Sequence, residues 1–212
     1  MKSITILLIV FVCVMITLVY EHAVRLTCQQ TLGPWIIQMR QPFLRNILQL
    51  IEPYLKKDGR ILDLFPGLGS TSHALKTLGY YNVVSLDTTD SIHSFDGLNI
   101  PFPDKSFRVV LALCCLHEVF YTDELLAEMA RVGQIVIVVE HVIQSPFQCY
   151  SIPFSESVTS WHFTNHPHNN LADHVWKSKF EAAGLTLLRE WELDGVVFHH
   201  KMYILGSGSD EV

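Results

Sequence analysis

The stretch ILDLFPGLGST (61–71) decides the fold of this chain. It reads as a short apolar strand that turns through Gly67 and Gly69 into a helix, because glycine allows a tight turn and a close approach of the backbone to a ligand. A second short strand, VVSLD (83–87), ends in Asp87, where a carboxylate can accept hydrogen bonds from a ribose diol. Together these features favour a nucleoside-binding site over a purely structural turn.

Apolar strands and amphipathic helices alternate on either side of this stretch. Their spacing predicts helices over 35–55, 71–78, 122–131 and 170–183, and strands over 61–65, 83–86, 108–115, 134–139, 185–191 and 196–205. Continuous apolar strands between amphipathic helices are typical of parallel sheets that are covered on both faces. The sequence therefore predicts an α/β fold: a doubly wound, mostly parallel, Rossmann-like sheet with a C-terminal antiparallel strand pair.

The composition excludes several other classes of protein. Of 212 residues, 49% are hydrophobic and 17% are charged, which does not fit a disordered chain, a collagen-like repeat or a coiled coil. The formal net charge of -6 offers no basic surface, so we expect no nucleic-acid partner. The cysteines form no CxxC pair, which predicts reduced thiols in a domain that faces the cytosol.

Residues 3–20 form an uncharged apolar run at the amino terminus. As a helix this run is about 27 Å long, close to the thickness of a hydrocarbon core of about 30 Å, so it predicts a transmembrane anchor. A cleaved signal peptide is the alternative, but the run is longer than a usual h-region and lacks a small-x-small cleavage site. The expected organisation is that of a single-pass membrane protein, with an anchor at 1–22, a linker at 23–34, a globular domain at 35–206 and a flexible tail at 207–212.

Four motifs, in this order along the chain, resemble the class I S-adenosylmethionine-dependent methyltransferases, and in particular the branch called methyltransferase type 11. They are ILDLFPGLG, VVSLD, DGLNIPFPDKSFRVVLALCCLHEV and ELLAEMARVGQIVIVVEHV. The resemblance covers residues 60–142, and the IPFPDKSF block (100–107) is its most specific part. It implies a Rossmann-like methyltransferase fold, S-adenosylmethionine as the cofactor and methyl transfer as the activity.

The resemblance also implies roles for individual residues in the cofactor site. Asp63 would orient the glycine turn and approach the methionine amino group, and Asp87 would bind the ribose hydroxyls. Asp96 would meet the adenine amino group. The remaining cofactor-binding residues would come from the glycine turn, from the neighbour of Asp96 and from the end of the strand 108–115: Phe65, Gly67, Gly69, Gly97, Cys115 and Leu116.

The sequence departs from the family pattern in three places. Phe65 stands where many members have a glycine, and Arg108 replaces the usual aspartate. Only eight residues separate Asp87 from Asp96, whereas a βαβ crossover needs at least about ten to twelve. We therefore expect that the helix after the second strand is missing and that the adenine side of the pocket is partly open.

Candidate bases for an acceptor proton follow two of the predicted strands. His117 follows the strand 108–115, and Glu140 and His141 follow the strand 134–139. We predict catalytic roles for all three, with His141 as the better base. The alternative is that they are rim residues or helix-capping contacts. The reaction requires no invariant base, since the cofactor carries an activated methyl group.

Residues 145–170 predict a loop that covers the acceptor site. Trp161 and Phe163 can form an apolar lid over it. His199 and His200 lie in the last strand and should point to opposite faces, one buried and one exposed. We predict a solvated loop and no metal site, because no carboxylate or cysteine falls at a matching interval from the histidines of this region: His162, His166, His168 and His174.

Three functions compete. The first is methyl transfer from S-adenosylmethionine to a small, apolar or lipid-like acceptor at a membrane, and this is the function we expect. The second is a catalytically weakened, methyltransferase-like membrane scaffold, motivated by Arg108 and the short segment after Asp87. The third, a nicotinamide-dependent reductase, is disfavoured because Ser72 occupies the last position of G-x-G-x-x-G and no Tyr-x-x-x-Lys pair occurs.

Overall fold

The computed structural model describes residues 41–66, 69–88, 95–146, 148–150, 152, 167, 169–194 and 199–208, together with positions 20, 23, 27, 31, 34 and 38. The main helices are α1 (residues 41–51), α2 (Ser70–Thr77), α3 (Thr122–Val132) and α4 (Asp173–Ala182), with 3-10 turns at Glu52–Tyr54 and Leu116–Glu118. The strands are β1 (Ile61–Leu64), β2 (Val83–Leu86), β3 (Phe107–Leu113), β4 (Gly133–His141), β5 (Thr186–Asp194) and β6 (His199–Gly206).

The strands of the described residues form one six-stranded sheet in the order β2–β1–β3–β4–β6–β5. The first four pair in parallel, and β6 runs antiparallel between β4 and β5. β1, β3 and β4 are buried almost throughout, which is why they read as continuous apolar runs rather than as alternating ones. The predicted Rossmann-like sheet with a C-terminal antiparallel pair is confirmed.

Helices cover both faces of this sheet. On one side, which we call the α1 face, Ile47 and Ile51 of α1 and Leu75 of α2 pack in one cluster with alternate residues of the strands. On the other side, the α4 face, Leu125 and Met129 of α3 pack in a second cluster together with α4. Successive residues of β4 alternate between these two clusters, as the pleat of a strand requires.

β3 ends two residues earlier than predicted. Cys114 adopts a left-handed backbone conformation with φ of 56°, which a strand cannot continue. Its N–H donates to the carbonyl oxygen of Val139 at 2.7 Å. The chain then enters the short 3-10 turn Leu116–Glu118, so Cys115 and Leu116 lie beyond the strand that we expected to contain them.

Several predicted segments lie outside the described residues. These are the apolar run 3–20 except for Tyr20, the connection 89–94, and most of the loop 145–170 with Trp161 and Phe163. Among the described residues, no helix combines the length and the apolar character needed to cross a bilayer.

Candidate active site

Asp63 lies at the carboxyl edge of β1 and is almost completely buried. The hydroxyl of Ser72, in the first turn of α2, donates to its carboxylate at 2.7 Å and lies 2.6 Å from the hydroxyl of Ser85 on β2. Burial raises the pKa of Asp63 from 3.8 to about 6, against the opposing effect of the hydrogen bonds from Ser72. These bonds tie the start of α2 to β1 and β2, as expected of a residue that orients the glycine turn.

Phe65 and Gly69 frame the turn between β1 and α2. Both have a positive φ, 50° at Phe65 and 72° at Gly69, so the backbone bends sharply at each end of the turn. The N–H of Phe65 donates to the carbonyl oxygen of Leu86 at 2.9 Å, and its ring centroid lies 5.6 Å from that of Phe95. The turn thus bends where the sequence predicted, although Gly67 itself lies outside the described residues.

The end of β2 meets the segment around Gly97 in spite of the short connection. Asp87 follows β2 and is half-buried. Gly97 has φ of 89°, and a Cβ placed on it would lie 3.1 Å from Cγ2 of Thr88. The backbone at Gly97 therefore packs against the residue that follows Asp87, so the predicted ribose and adenine residues lie on the same part of the edge.

Asp96 is engaged in its own turn. Its carboxylate accepts hydrogen bonds from the N–H groups of Leu98 at 2.9 Å and Asn99 at 2.7 Å, and from the Asn99 side-chain amide at 2.6 Å. These bonds, with the one from the Asn99 side chain as the largest, lower the pKa of Asp96. The carboxylate is exposed and charged. Its hydrogen bonds with Leu98 and Asn99 also stabilise the backbone turn at residues 96–99.

Glu140 holds the turn after β3 from a fully buried position near the end of β4. One carboxylate oxygen accepts hydrogen bonds from the N–H groups of Cys115 at 2.9 Å and Leu116 at 2.6 Å, and the other lies 2.7 Å from Nδ1 of His117. The side chain of Glu140 is thus fully bonded within the chain. We predict a catalytic role for Glu140 on the acceptor side, and the geometry places its carboxylate behind the ring of His117, which is itself only 4% exposed.

His117 pairs with this carboxylate. Because the carboxylate of Glu140 accepts a hydrogen bond, Nδ1 carries the proton and Nε2 is the basic nitrogen. Nε2 lies 3.8 Å from the carboxylate of Glu118, and the ring stacks on His141 with 5.6 Å between centroids. The backbone N–H of Asn169 donates to the carbonyl oxygen of His117 at 2.8 Å. His117 thus has a buried carboxylate behind its ring, whereas the sequence predicts His141 as the better base.

Cys115 lies between the end of β1 and the end of β4. Its Sγ is 3.9 Å from the carbonyl oxygen of Leu64 at the end of β1, and its N–H is bound by Glu140. Burial, followed by the nearby charge of Glu140, raises the pKa of the Cys115 thiol well above its usual range. Cys115 is therefore a neutral thiol that packs at the edge, and not a nucleophile.

Three residues that sequence reasoning did not connect lie together on the α1 face. His141 and His200 are opposite each other in the β4–β6 pair, with ring centroids 4.1 Å apart, and the ring of Phe43 lies 4.7 Å from that of His200. Cys114 lies together with these two histidines and is the third of the three residues.

His199 and His200 point to opposite faces as predicted, but both are half-buried, so the expectation of one buried and one exposed histidine is wrong.

A polar cleft of about 240 Å³ opens between the end of β4 and α4, with Val142, His174 and Glu192 among its lining residues. Lys201 also lines it and is nearly buried, with its Nζ at 3.1 Å from carboxylate oxygens of both Asp173 and Glu190. The ion pair with Asp173 joins β6 to α4, and the ion pair with Glu190 joins β6 to β5. These contacts hold together the elements that surround the cleft.

The comparisons with known proteins agree with this fold. Residues 62–135 match the family model described as "Methyltransferase domain". Together with the fold, this match indicates S-adenosylmethionine as the cofactor. No curated protein matches the sequence at a significant level.

Solved structures share the architecture at low sequence identity. A SAM-dependent methyltransferase from Methanosarcina mazei has a TM-score of 0.60 at 15% identity, covering 74% of this chain and 96% of that chain. A chain of the Haloferax volcanii complex between the Trm112 methyltransferase activator and a methyltransferase has a TM-score of 0.58 at 11% identity, covering 87% and 99%. The cyclase SpnF has a TM-score of 0.55 at 13% identity, covering 76% and 80%. Likeness at these identities shows the fold alone, and one fold can carry different reactions.

Proposed function

We propose that this protein transfers a methyl group from S-adenosylmethionine to a small acceptor. The observation that carries the proposal is the meeting of two arrangements at one edge of the sheet. One is the nucleoside-binding pattern at the ends of β1 and β2, where Gly97 packs against Thr88, the residue that follows Asp87. The other is the buried Glu140–His117 pair at the ends of β3 and β4. In open α/β sheets, ligands bind at this edge.

The residues at the ends of β1 and β2 fit the cofactor. S-adenosylmethionine supplies a methyl carbon that is already activated for displacement from a sulfonium. We propose that Asp87 accepts hydrogen bonds from the ribose hydroxyls and that Asp96 lies beside the adenine. Asp63 holds the turn at Gly69 through Ser72, so the methionine part would rest on a preformed bend. The chain therefore contributes alignment and exclusion of water.

His117 is the residue we propose as the base. The carboxylate of Glu140 fixes the tautomer and the orientation of its ring, and would stabilise the imidazolium that forms when Nε2 takes the acceptor proton. A carboxylate behind an imidazole is a recurring arrangement for such a transfer. Glu140 acts in this scheme through His117 alone.

The class of acceptor is proposed from the apolar run 3–20. An anchored domain favours an apolar or lipid-like acceptor that is reached at a bilayer, and we propose a single-pass protein with its domain in the cytosol. Fractionation of cells that express the full chain, or a variant that begins at residue 23, tests this. The full chain should resist extraction from membranes at alkaline pH, whereas the shortened chain should not; extraction of both would contradict the anchor.

Titration of the full chain with S-adenosylmethionine tests the cofactor site. We expect saturable binding that Asp87→Ala weakens by about 10- to 100-fold, the loss expected for hydrogen bonds to a charged acceptor. Asp58→Ala, at an exposed turn position away from the edge, should bind as the unaltered chain does. Absence of binding at millimolar cofactor would contradict the proposal and favour the weakened membrane scaffold instead.

Transfer of labelled methyl groups into a membrane extract tests the base. His117→Asn should lower the rate by about 100-fold or more with little change in cofactor affinity, because a general base acts on the acceptor. His73→Asn, at an exposed position on α2, is the matched control and should keep full activity. An unchanged rate in His117→Asn would exclude this residue as the base.

A further inference from the structure

Cys114, His141 and His200 bring three metal-binding atoms together on the α1 face of the edge. These atoms, one from each side chain, all lie within 4.8 Å of one another. Around tetrahedral zinc, sulfur and nitrogen ligands lie about 3.4–3.6 Å apart, given bond lengths of about 2.0–2.3 Å. The three atoms therefore lie within about 1.5 Å of the separations that a zinc site requires.

The backbone at Cys114 directs the thiol to this face. A residue that continued β3 after Leu113 would point to the α4 face, because successive side chains alternate. The φ of 56° breaks this alternation, and Cys114 packs with the α1-face cluster instead. Left-handed residues other than glycine are uncommon and are concentrated at functional sites. The hydrogen bond from the Cys114 N–H to Val139 holds this conformation beside β4.

We propose that Cys114, His141 and His200 form a zinc site with one open coordination position. A thiolate and two imidazoles suit Zn²⁺, whereas Mg²⁺ and Ca²⁺ prefer oxygen ligands. Three protein ligands with a fourth position for water or substrate are the pattern of catalytic zinc sites, not of structural ones. His141 is buried, whereas the side chains of Cys114 and His200 are half-buried, so the set lies at the boundary between the core and the surface.

The zinc site adjoins the proposed base, since His117 stacks on His141. An acceptor thiol or hydroxyl bound at the open position would lose its proton more readily, because a zinc ion lowers the pKa of a group that it binds. The proton would pass to Nε2 of His117, and the acceptor atom would form its bond to the methyl carbon as the bond from that carbon to the sulfonium sulfur breaks. This role in the reaction rests on the proposed methyl transfer, whereas zinc binding itself does not.

Metal analysis of the full chain, purified in detergent and dialysed after incubation with zinc, tests the proposal. We expect one zinc ion per chain, and a thiolate-to-cobalt charge-transfer band when cobalt replaces zinc. Cys114→Ser and His200→Asn should each lose the stoichiometric zinc, and Cys114→Ser should also lose the band. Cys149→Ser, at another cysteine in the chain, and His199→Asn, on the opposite face of β6, are matched controls that should keep both.

An unaltered chain without zinc would overturn the proposal, and so would zinc that survives in both Cys114→Ser and His200→Asn. X-ray absorption at the zinc edge of the unaltered chain should report one sulfur and two imidazole ligands, so the site can be decided even where a variant fails to fold. Titration of the same samples with S-adenosylmethionine separates the two proposals. Zinc binding without cofactor binding would overturn methyl transfer alone, and cofactor binding without zinc would overturn the zinc site alone.

Discussion

The carboxyl edge of the sheet has two halves that are built in different ways, and we name them for the cofactor and the acceptor that we propose they bind. The cofactor half, at the ends of β1 and β2, consists of turns that follow one another closely in the sequence. The acceptor half gathers residues from the turn after β3 and from β4 and β6, which are distant in the sequence, and buries most of them. The cofactor half contains Asp63, Phe65, Gly69, Asp87, Asp96 and Gly97, and the acceptor half contains Cys114, Cys115, His117, Glu140, His141 and His200.

The two halves differ in the hydrogen bonding of their buried carboxylates. Glu140 has three hydrogen-bond partners, so its charge is compensated within the folded chain. Asp63 is bound by Ser72, but burial dominates and raises its pKa. The hydrogen bonds of Glu140 are thus supplied by the chain itself, whereas the cofactor half holds a carboxylate whose charged form a cationic ligand would favour.

The largest expected effect tests the acceptor half. Glu140→Ala should lower the free energy of unfolding by about 3–5 kcal/mol, because it leaves two buried N–H groups and the His117 ring without their acceptor. Glu140→Gln should cost less, since its amide oxygen can still accept from both N–H groups. Urea denaturation measures both variants, with the exposed Glu124→Ala as control. A loss below about 1 kcal/mol in Glu140→Ala would show that this network is not preorganised by Glu140.

The next effect tests the cofactor half through pH. The pKa of Asp63 is about 6 in the folded chain and close to 3.8 when unfolded, so the folded state binds this proton more tightly. Its stabilising contribution is present below about pH 4 and is lost as the pH rises through about 6. The free energy of unfolding, relative to Asp63→Asn, should therefore fall by about 3 kcal/mol between about pH 4 and pH 7.

Urea denaturation of both proteins across this pH range measures the difference. Saturating S-adenosylmethionine should shrink the fall, because its ammonium group favours the charged carboxylate. A difference between the two proteins that does not vary with pH would mean that Asp63 titrates in the folded chain as it does in the unfolded chain, and the contrast between the halves would disappear.

A smaller effect tests how α3 holds the segment that follows Gly97 in the cofactor half. Arg131 donates to the carbonyl oxygens of Ile100 and Phe102 at 2.9 Å each, and Glu128 is its partner on α3 at 2.7 Å. Arg131→Ala should lower the free energy of unfolding by about 1–3 kcal/mol, because it releases the segment that follows Gly97.

The exposed pair between Lys179 and Asp123 offers the control for this change. Lys179→Ala breaks an ion pair of 2.6 Å at the surface and should cost less than about 0.5 kcal/mol. Thermal denaturation compares the two variants. Equal losses would indicate that Arg131 acts as an ordinary surface charge and does not hold the segment in place.

The smallest effect concerns Asp96. Its oxygens are already engaged by Leu98 and Asn99 and are exposed, so Asp96→Ala should weaken cofactor binding by less than about tenfold. Asp87→Ala should weaken it more in the same titration. The reverse order would show that the adenine side, although its connection is short, contributes more than the ribose side.

The cofactor half could largely be predicted from the sequence. The bounds of β2 and the turn at Gly69 follow from local patterns, since glycine and apolar runs act within a few residues.

The acceptor half could not be predicted from local patterns in this way. His117 and Glu140 were named from their places after strands, but their hydrogen bond was not foreseen. The predicted end of β3 lies two residues too late, because an apolar run contains no local signal for the left-handed conformation of Cys114.

The sequence by itself determined the class of fold and the edge at which we propose that the cofactor binds, because hydrophobic period and turn chemistry are local properties of the chain. Only the tertiary structure decided that β6 inserts beside β4, which sets His200 against His141, and that Glu140 turns inward to His117. Strand order is a property of the whole chain, since it depends on how all the apolar faces are buried together. The chemistry of the acceptor half therefore exists only in the folded protein.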